Sequence, residues 1–330
     1  GIDLGSSSVK VALFDTLTHC PVSISQYPES EMQINAPERG WAEQDPELWW
    51  SYTKQAIKNL ITESDIDSLL IKAIGISYQM HGLVIVDKNQ DVMRPAIIWC
   101  DDRAVDIGRK AKEDLGSDFC NTHYLNSPAN FTASKMKWVL DNEPEIGSAI
   151  YKMMLPGNFI AMKMTGQILS TVSGMSECVM WDFENKKIGN ALLDYFGINK
   201  DWIPEVQSTF DTHGRVSLMV ARELGLPPNI PISYMAGDQP NNAMSLGVLS
   251  PGEAAATGGT SGVVYAVTDH LVSDASGRVN AFAHVNHSDD QNRIGVLLCI
   301  NGCGIQYAWL RKQMSSEGTP YQDIERMIKD

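Results

Sequence analysis

The chain has 330 residues, of which 43% are hydrophobic and 20% charged, and its formal net charge is −14 at pH 7. This composition is typical of a globular protein large enough for more than one domain. The acidic excess argues against a nucleic-acid surface, which needs clustered Lys and Arg. No apolar run predicts a membrane span, and no signal-peptide pattern is visible. The six cysteines lack metal-binding spacing, so we expect scattered reduced thiols and a cytoplasmic protein.

The first residues read Gly-Ile-Asp-Leu-Gly-Ser-Ser-Ser, and the alternating segment 9–15 predicts a strand. With Ile2 and Asp3 ending a neighbouring strand, residues 4–8 form the turn of a predicted β-hairpin. Such a turn presents several N–H groups and hydroxyls to one point, which suits a phosphate. An ordinary hairpin with polar turn residues explains the stretch equally well, and the local pattern leaves both interpretations open.

The next segments predict one helix and a group of strands. Asp45 is typical of a helix N-cap and Pro46 of a first helical residue. Segments 70–77 and 83–87 predict two strands paired across Gln-Met-His-Gly at 79–82. The lone His81 at this turn is more often structural than ligand-binding.

A strand ending near Cys100 is followed by charged residues. Trp99, Asp101 and Arg103 supply an aromatic face, a carboxylate and a guanidinium, which a polyhydroxylated ligand needs. Asp–Arg pairs are also common on surfaces, where they contribute little. The region 106–225 predicts mainly helices, among them 131–140, 156–164 and 215–224.

The central stretch of the sequence is Gly237-Asp238. It ends the apolar run 232–236 and precedes a helical pattern at 239–246. A carboxylate at a strand end can meet a ligand hydroxyl. Because Asp238 has no Lys or Arg close in sequence, we expect partial burial to raise its pKa.

The opening pattern then recurs. Segments 253–257 and 262–267 predict strands joined by a Gly/Thr/Ser turn, and this suggests two similar halves that grip one phosphate chain. Neither a Walker A sequence nor a GxGxxG fingerprint occurs. Segment 294–300 predicts a strand, and Gly304 precedes a helix predicted over 305–314. The chain stops inside a helical pattern and starts inside a motif, so we expect it to be cut at both ends.

These motifs resemble, in order, those of the FGGY carbohydrate kinases, which belong to the actin, hexokinase and heat-shock chaperone superfamily. The matching stretches are Gly1-Ile2-Asp3-Leu4-Gly5, Gln79-Met80-His81-Gly82, Trp99-x-Asp101-x-Arg103, Gly237-Asp238-Gln239 and Gly259-Thr260-Ser261-Gly262. A family signature around Thr132, Lys135 and Trp138 departs from the pattern at Asn130.

The resemblance implies an α/β, ribonuclease H-like fold with duplicated domains and a cleft between them. Residues 1–245 would form the N-terminal domain, with the sugar site, the first phosphate hairpin and the catalytic Asp. Residues 246–330 would form the first part of a C-terminal domain that carries the second phosphate loop, the remainder being absent.

The resemblance also implies ATP-dependent phosphorylation of a ketopentose hydroxyl, with D-xylulose giving D-xylulose 5-phosphate. Asp238 would be the general base, and Asp3 would lie near Mg²⁺. The sugar would contact Met80, His81, Trp99, Asp101, Arg103 and Gln239. The phosphates of ATP would contact Gly5, Ser6, Ser7, Ser8, Gly259, Thr260, Ser261, Gly262 and Gly304. The expected partners are the sugar and ATP, with no nucleic acid or membrane, and a homodimer is a possible assembly.

Two alternatives stay open. The acceptor could be another polyol, such as L-ribulose, another ketose or glycerol. The protein could instead sense a sugar or nucleotide by closing on it without transfer. Asp238, His81 and Trp99 together favour the kinase.

Overall fold

The computed structural model describes residues 1–258, 262–300, 302–315 and 319–327. In chain order the strands are β1 (Ile2–Leu4), β2 (Val9–Asp15), β3 (Cys20–Tyr27), β4 (Glu43–Gln44), β5 (Ile74–Tyr78), β6 (Val84–Val86), β7 (Ala96–Ile97), β8 (Lys152–Met154), β9 (Leu169–Thr171), β10 (Trp181–Asp182), β11 (Lys187–Ile188), β12 (Glu205–Gln207), β13 (Ile232–Gly237), β14 (Ala254–Gly258), β15 (Gly262–Thr268), β16 (Asn280–Ala283) and β17 (Ile294–Ile300). The helices are α1 (Pro46–Glu63), α2 (Val105–Leu115), α3 (Ser117–His123), α4 (Thr132–Asn142), α5 (Pro144–Gly147), α6 (Pro156–Thr165), α7 (Val172–Glu177), α8 (Asn190–Phe196), α9 (Leu218–Leu224), α10 (Asp238–Ser245), α11 (Cys303–Met314) and α12 (Tyr321–Met327). Within these ranges, no helix combines the length and the apolar character that a membrane crossing requires.

The first sheet has the strand order β13-β5-β1-β2-β3. Strands β13, β5 and β1 run parallel, whereas β1, β2 and β3 form an antiparallel meander. The register pairs Leu4 with Tyr78, and Tyr78 with Gly237. The three parallel strands therefore end at one edge, where ligands usually bind in open α/β sheets.

Helix α1 covers one face of this sheet. The Asp45 side chain accepts a hydrogen bond from the backbone N–H of Glu47 at 2.9 Å, and Pro46 is the first helical residue. Trp49, Ala56 and Leu60 are buried on the helix face that packs against β2 and β3. The predicted cap and helix are confirmed, and burial of each large apolar side chain contributes about 1.5–3 kcal/mol.

The second sheet, β14-β15-β17-β16, is antiparallel, and the free edge of β16 is closed by side chains of the first part of the chain. The Asn126 amide donates to the Ala281 carbonyl at 2.6 Å and accepts from its N–H at 3.0 Å. Ser173 donates to the Ala283 carbonyl at 2.8 Å, while the Ala283 N–H donates to Ser176 at 2.9 Å. One hydrophobic core runs through both sheets. These side chains therefore form hydrogen bonds that a neighbouring strand would otherwise make with the backbone of β16.

Local predictions are largely confirmed. The hairpins β1–β2 and β14–β15, the strand β17 and the helices α4, α6 and α10 lie where the sequence predicts them, within two or three residues. The helix predicted over 215–224 is shorter and begins at Leu218, with Ser217 as its cap. The predicted pairing of 70–77 with 83–87 is wrong, because β5 pairs with β1 and β13 while β6 pairs with β8. Parallel pairing joins distant segments, which a local pattern does not show.

Candidate active site

Asp238 lies where the three parallel strands end. It is the first residue of α10 and directly follows Gly237, the last residue of β13. Asp3 lies on β1, two strands away, opposite Ser77 of β5. The edge of the sheet therefore brings together the two carboxylates that the sequence analysis singled out.

Both carboxylates have perturbed titration. Burial is the main cause that raises the pKa of Asp238 to about 7, and the charge of the Asp3 carboxylate adds to the effect. Hydrogen bonds from Gln239 oppose the shift. Burial also raises the pKa of Asp3, against the effects of Lys10 and Ser77. The Lys10 ammonium is 3.9 Å from the Asp3 carboxylate, and both side chains are about half exposed. A carboxylate that titrates near neutrality can accept a proton from a hydroxyl group.

Hydrogen bonds within the protein hold the turn between β1 and β2 in place. Its Gly5 N–H donates to the Ser8 carbonyl at 3.1 Å, and the Ser6 carbonyl accepts from the Gln44 amide at 2.7 Å. The Ser7 carbonyl accepts from a backbone N–H at 2.7 Å. Across the described ranges, the N–H groups of Ser6 and Ser7 meet no acceptor. Ser6 is half-buried, Ser7 exposed and Ser8 buried. Free N–H groups in a tight turn are typical of an anion site.

The second glycine-rich turn is described at its margins. Gly259, Thr260 and Ser261 lie outside the described residues. Gly262 begins β15, and a Cβ atom built there would be 2.9 Å from Cys303 Sγ. Cys303 begins α11 and directly precedes Gly304. The structure therefore brings Gly262 and Gly304, which lie far apart in sequence, close together at the start of α11.

His81 adopts a left-handed backbone conformation, with φ 61°, in the turn after β5. Its Nδ1 is 3.0 Å from the Glu177 carbonyl oxygen, which can only accept, so Nδ1 carries the proton. Burial, and next the charge of Lys135, lowers the pKa of His81 to about 3. Its ring packs at 4.8 Å from Phe131 and 5.3 Å from Phe282, measured between ring centroids. The neutral imidazole therefore keeps an Nε2 lone pair that can accept a hydrogen bond.

A fully buried lysine holds this turn in place. Lys135 Nζ donates to the His81 carbonyl at 2.9 Å and to the Ile98 carbonyl at 3.0 Å. Burial lowers its pKa to about 8. Lys135 thus ties the turn of His81 to the segment just before Trp99, whose side chain is 46% exposed.

The structure corrects the roles predicted for Asp101 and Arg103. Asp101 is fully buried, and its carboxylate accepts from the Ala42 N–H at 2.6 Å and from Arg103 Nη2 at 2.7 Å. The Arg103 side chain is 1% exposed and also donates to Glu43 at 2.8 Å. The guanidinium carbon lies 3.9 Å from the ring centroid of Trp41 and 4.8 Å from that of Trp138. Buried charges need such partners, so these groups are already paired within the protein and expose almost no surface to a ligand.

Met80 and Gln239, both predicted sugar contacts, lie next to Gly237 and Asp238, and Glu177 lies beside them. Met80 is 5% exposed and packs against Gly237, and the half-buried Gln239 hydrogen-bonds to Asp238. The carboxylate of Glu177 lies beside the same glycine. Glu177 was missed because its sequence segment carries no motif, and a helical pattern does not show which side chain ends beside a distant strand.

Comparisons with known proteins show the family and the fold of the chain. Residues 1–245 match the family described as "FGGY family of carbohydrate kinases, N-terminal domain". The chain is 33% identical over 326 residues to a xylulose kinase of Staphylococcus epidermidis, covering 98% of this chain and 63% of that protein. It is 27% identical to a glycerol kinase of Thermococcus onnurineus, covering 94% and 62%. A crystal structure of a xyloylose kinase from Brucella ovis superposes with a TM-score of 0.89 at 28% identity, covering 99% and 65%. The chain thus spans less than two thirds of the length of these proteins.

Proposed function

The chain belongs to the FGGY family of carbohydrate kinases, and from that premise we propose that the full-length protein transfers the γ-phosphoryl group of ATP to a ketopentose, D-xylulose. It has the α/β fold of that family, in the actin and hexokinase superfamily. The observation that carries the proposal is Asp238, a carboxyl at the end of parallel strands whose pKa is raised to about 7. The likeness to xylulose kinases supports the choice of acceptor.

In this mechanism Asp238 accepts the proton of the attacking sugar hydroxyl. The hydroxyl oxygen forms a bond to the γ-phosphorus, the bond to the β-phosphate oxygen breaks, and ADP leaves. Phosphoryl transfer asks the protein mainly for positioning and charge stabilisation. We assign the free N–H groups of Ser6 and Ser7 in the Gly5–Ser8 turn, together with Gly262 and Gly304, to the phosphates.

The sugar would be held by the residues around the turn after β5. Neutral His81 accepts a hydrogen bond from a sugar hydroxyl at Nε2, and the half-exposed ring of Trp99 covers a C–H face. Met80 and Gln239 complete the contacts near Asp238. In this assignment residues 1–245 carry the sugar site and the base, and residues 246–330 carry the second phosphate loop.

Mg²⁺ fits the donor set at this edge. Within the described ranges, no group of three or more potential metal ligands occurs, and Mg²⁺ bound with nucleotides typically takes one or two carboxylates plus phosphates and water. Asp3 supplies such a carboxylate, and a nearby cation would offset the burial that raises its pKa. When bound, Mg²⁺ would neutralise phosphate charge.

A coupled ADP-release assay on the full-length protein tests the proposal. The panel is D-xylulose, L-ribulose, D-ribulose, L-xylulose, glycerol and no sugar, each with Mg²⁺ and ATP. We expect a response to D-xylulose well above the others. The likeness to a glycerol kinase makes glycerol the second candidate acceptor. A response to glycerol alone would change the assigned acceptor and leave the proposed mechanism unchanged. Silence across the panel with intact ATP binding would favour a sensor.

A further inference from the structure

Glu177 has a buried carboxyl group that the mechanism above does not use. It is the last residue of α7 and is 1% exposed. Neither of its carboxyl oxygens has a hydrogen-bond partner among the described residues. The Tyr78 hydroxyl and the backbone N–H of His81 lie close enough to lower its pKa, yet neither meets hydrogen-bond geometry. An orphaned buried carboxyl is costly, and it calls for an explanation.

The carboxyl lies among residues assigned to the sugar. A Cβ atom built on Gly237 would be 2.6 Å from Glu177 Oε2 and 2.5 Å from Met80 Cγ, so these two side chains meet above the glycine. The main-chain carbonyl of Glu177 accepts from His81 Nδ1 at 3.0 Å. Asp238 is the charged neighbour with the largest effect on Glu177. Glu177 therefore touches or borders three sugar-site residues at once.

The surroundings of this carboxyl favour its neutral form. Burial, and next the carboxylate of Asp238, raises the pKa of Glu177 well above its ordinary value, and the charge of Lys135 offsets only part of this. A neutral carboxyl presents one O–H donor and one C=O acceptor side by side. That pair complements a carbonyl next to a hydroxyl, which is the hydroxy-ketone of a ketose.

We propose that Glu177 is a further substrate-binding residue, which pairs through its O–H and C=O with the hydroxy-ketone of the acceptor sugar. The inference rests on the proposed function, because it takes the ketose from there. The Met80 side chain lies beside the buried carboxyl, and in this proposal it rotates to admit the ligand. Methionine side chains are flexible enough for such a change.

The test measures sugar binding without ATP, by calorimetry on the full-length protein. The ligands are D-xylulose and xylitol, in which the ketone is reduced to an alcohol. The variants are Glu177→Met, which removes both hydrogen-bonding groups, and Glu177→Gln, which keeps one donor and one acceptor. Glu184→Gln is the control, because Glu184 is exposed and forms no ion pair in the described part of the chain.

We expect Glu177→Met to weaken D-xylulose binding about tenfold or more and to abolish the preference for D-xylulose over xylitol. Glu177→Gln should stay within about threefold of the parent, and the control should match it. Because Glu177→Met removes an orphaned polar group, its unfolding temperature should rise by about 2 °C, the opposite of what a structural role predicts.

Unchanged D-xylulose binding in Glu177→Met would overturn the inference. So would equal losses in Glu177→Met and Glu177→Gln, equal losses for the two ligands, or a parent that binds neither. Binding that depends on Glu177 without sugar-dependent ADP release would keep this inference and overturn the kinase function. Sugar-dependent ADP release together with sugar binding that does not depend on Glu177 would keep the kinase function and overturn this inference.

Discussion

Two groups of ionisable side chains lie near the edge of the first sheet, and they differ in how they are paired. The paired cluster consists of Glu43, Arg94, Asp101 and Arg103, and each charge in it contacts an opposite charge at 2.6–2.8 Å. The carboxylate cluster consists of Asp3, Glu177 and Asp238, with Lys10 at 3.9 Å from Asp3 as its nearest cation contact among the described residues.

The difference distinguishes side chains that stabilise the fold from side chains that are available for catalysis or binding. A buried charge with ideal partners has no capacity left for a ligand, and its loss leaves the partner uncompensated. A buried carboxyl without a cation lowers the stability of the free protein. A ligand that supplies the missing hydrogen bond or charge removes part of this cost. Perturbed carboxyls in a cleft are therefore candidates for function. Burial alone does not distinguish Glu177 from Asp101, because both are buried, whereas pairing does.

The largest expected effect is on turnover, at Asp238. Asp238→Asn removes the base and keeps the shape, so kcat should fall by about 10²–10⁴-fold while D-xylulose affinity stays within about threefold. Coupled ADP release and calorimetry on the full-length protein measure both. Asp106→Asn, on an exposed face, is the control. If Asp238→Asn and the parent had comparable turnover, Asp238 would not be the general base.

The paired cluster should respond in stability instead. Asp101→Asn removes one of the two carboxylates that pair with the buried Arg103, so the free energy of unfolding should fall by about 3–5 kcal/mol. Asp106 and Arg109 form an exposed pair at 3.2 Å, and Asp106→Asn should cost at most about 1 kcal/mol. Urea unfolding compares the two variants. A similar small cost for both would show that Asp101 is not held as the structure indicates.

The smallest of these effects concerns His81. Because Nε2 of His81 is the group assigned to a sugar hydroxyl, His81→Ala should raise KM for the ketose about tenfold and KM for ATP less than twofold. His213 is the matched control, since both of its ring nitrogens already have partners, Gln207 at 2.9 Å and Thr209 at 3.1 Å. His213→Ala should lower stability and leave both KM values unchanged. Equal changes in the two KM values of His81→Ala would assign His81 a structural role.

Sequence reasoning reached the elements whose signals are local. The cap at Asp45, the helix α10 after Asp238 and the Gly5–Ser8 turn follow from turn and capping chemistry. The pairing of β5 was predicted wrongly, because its partners β1 and β13 lie far away in the chain. Local pattern cannot supply such long-range register.

The same limit applies to the site. Asp101 and Arg103 looked available because their residue types suit a sugar. Their partners lie far away in the chain: Glu43 is 60 residues from Arg103, and Ala42 is 59 residues from Asp101. Glu177 was missed for the converse reason, since only the fold brings its carboxyl beside Gly237. Sequence shows which residues can bind a ligand, whereas the fold decides which of them are already occupied.

The raised pKa of Asp238 also affects stability, with the opposite sign to activity. Because its folded pKa, about 7, exceeds the ordinary value of 3.8, its contribution to stability is present in full below pH 3.8 and is lost as pH rises through about 7. As a base, in contrast, Asp238 is active only above that pKa. The unfolding free energy of the parent relative to Asp238→Asn should therefore fall over the pH range in which activity rises.

The most direct test of this account is the pH dependence of kcat/KM for D-xylulose in the full-length protein, with Asp238→Asn measured alongside. We predict that kcat/KM falls tenfold for each pH unit below an apparent pKa of about 7 and is level above it, and that the residual activity of Asp238→Asn lacks this inflection. An inflection near the ordinary value of 3.8, or the same inflection in both proteins, would contradict the claim that Asp238 is a desolvated general base.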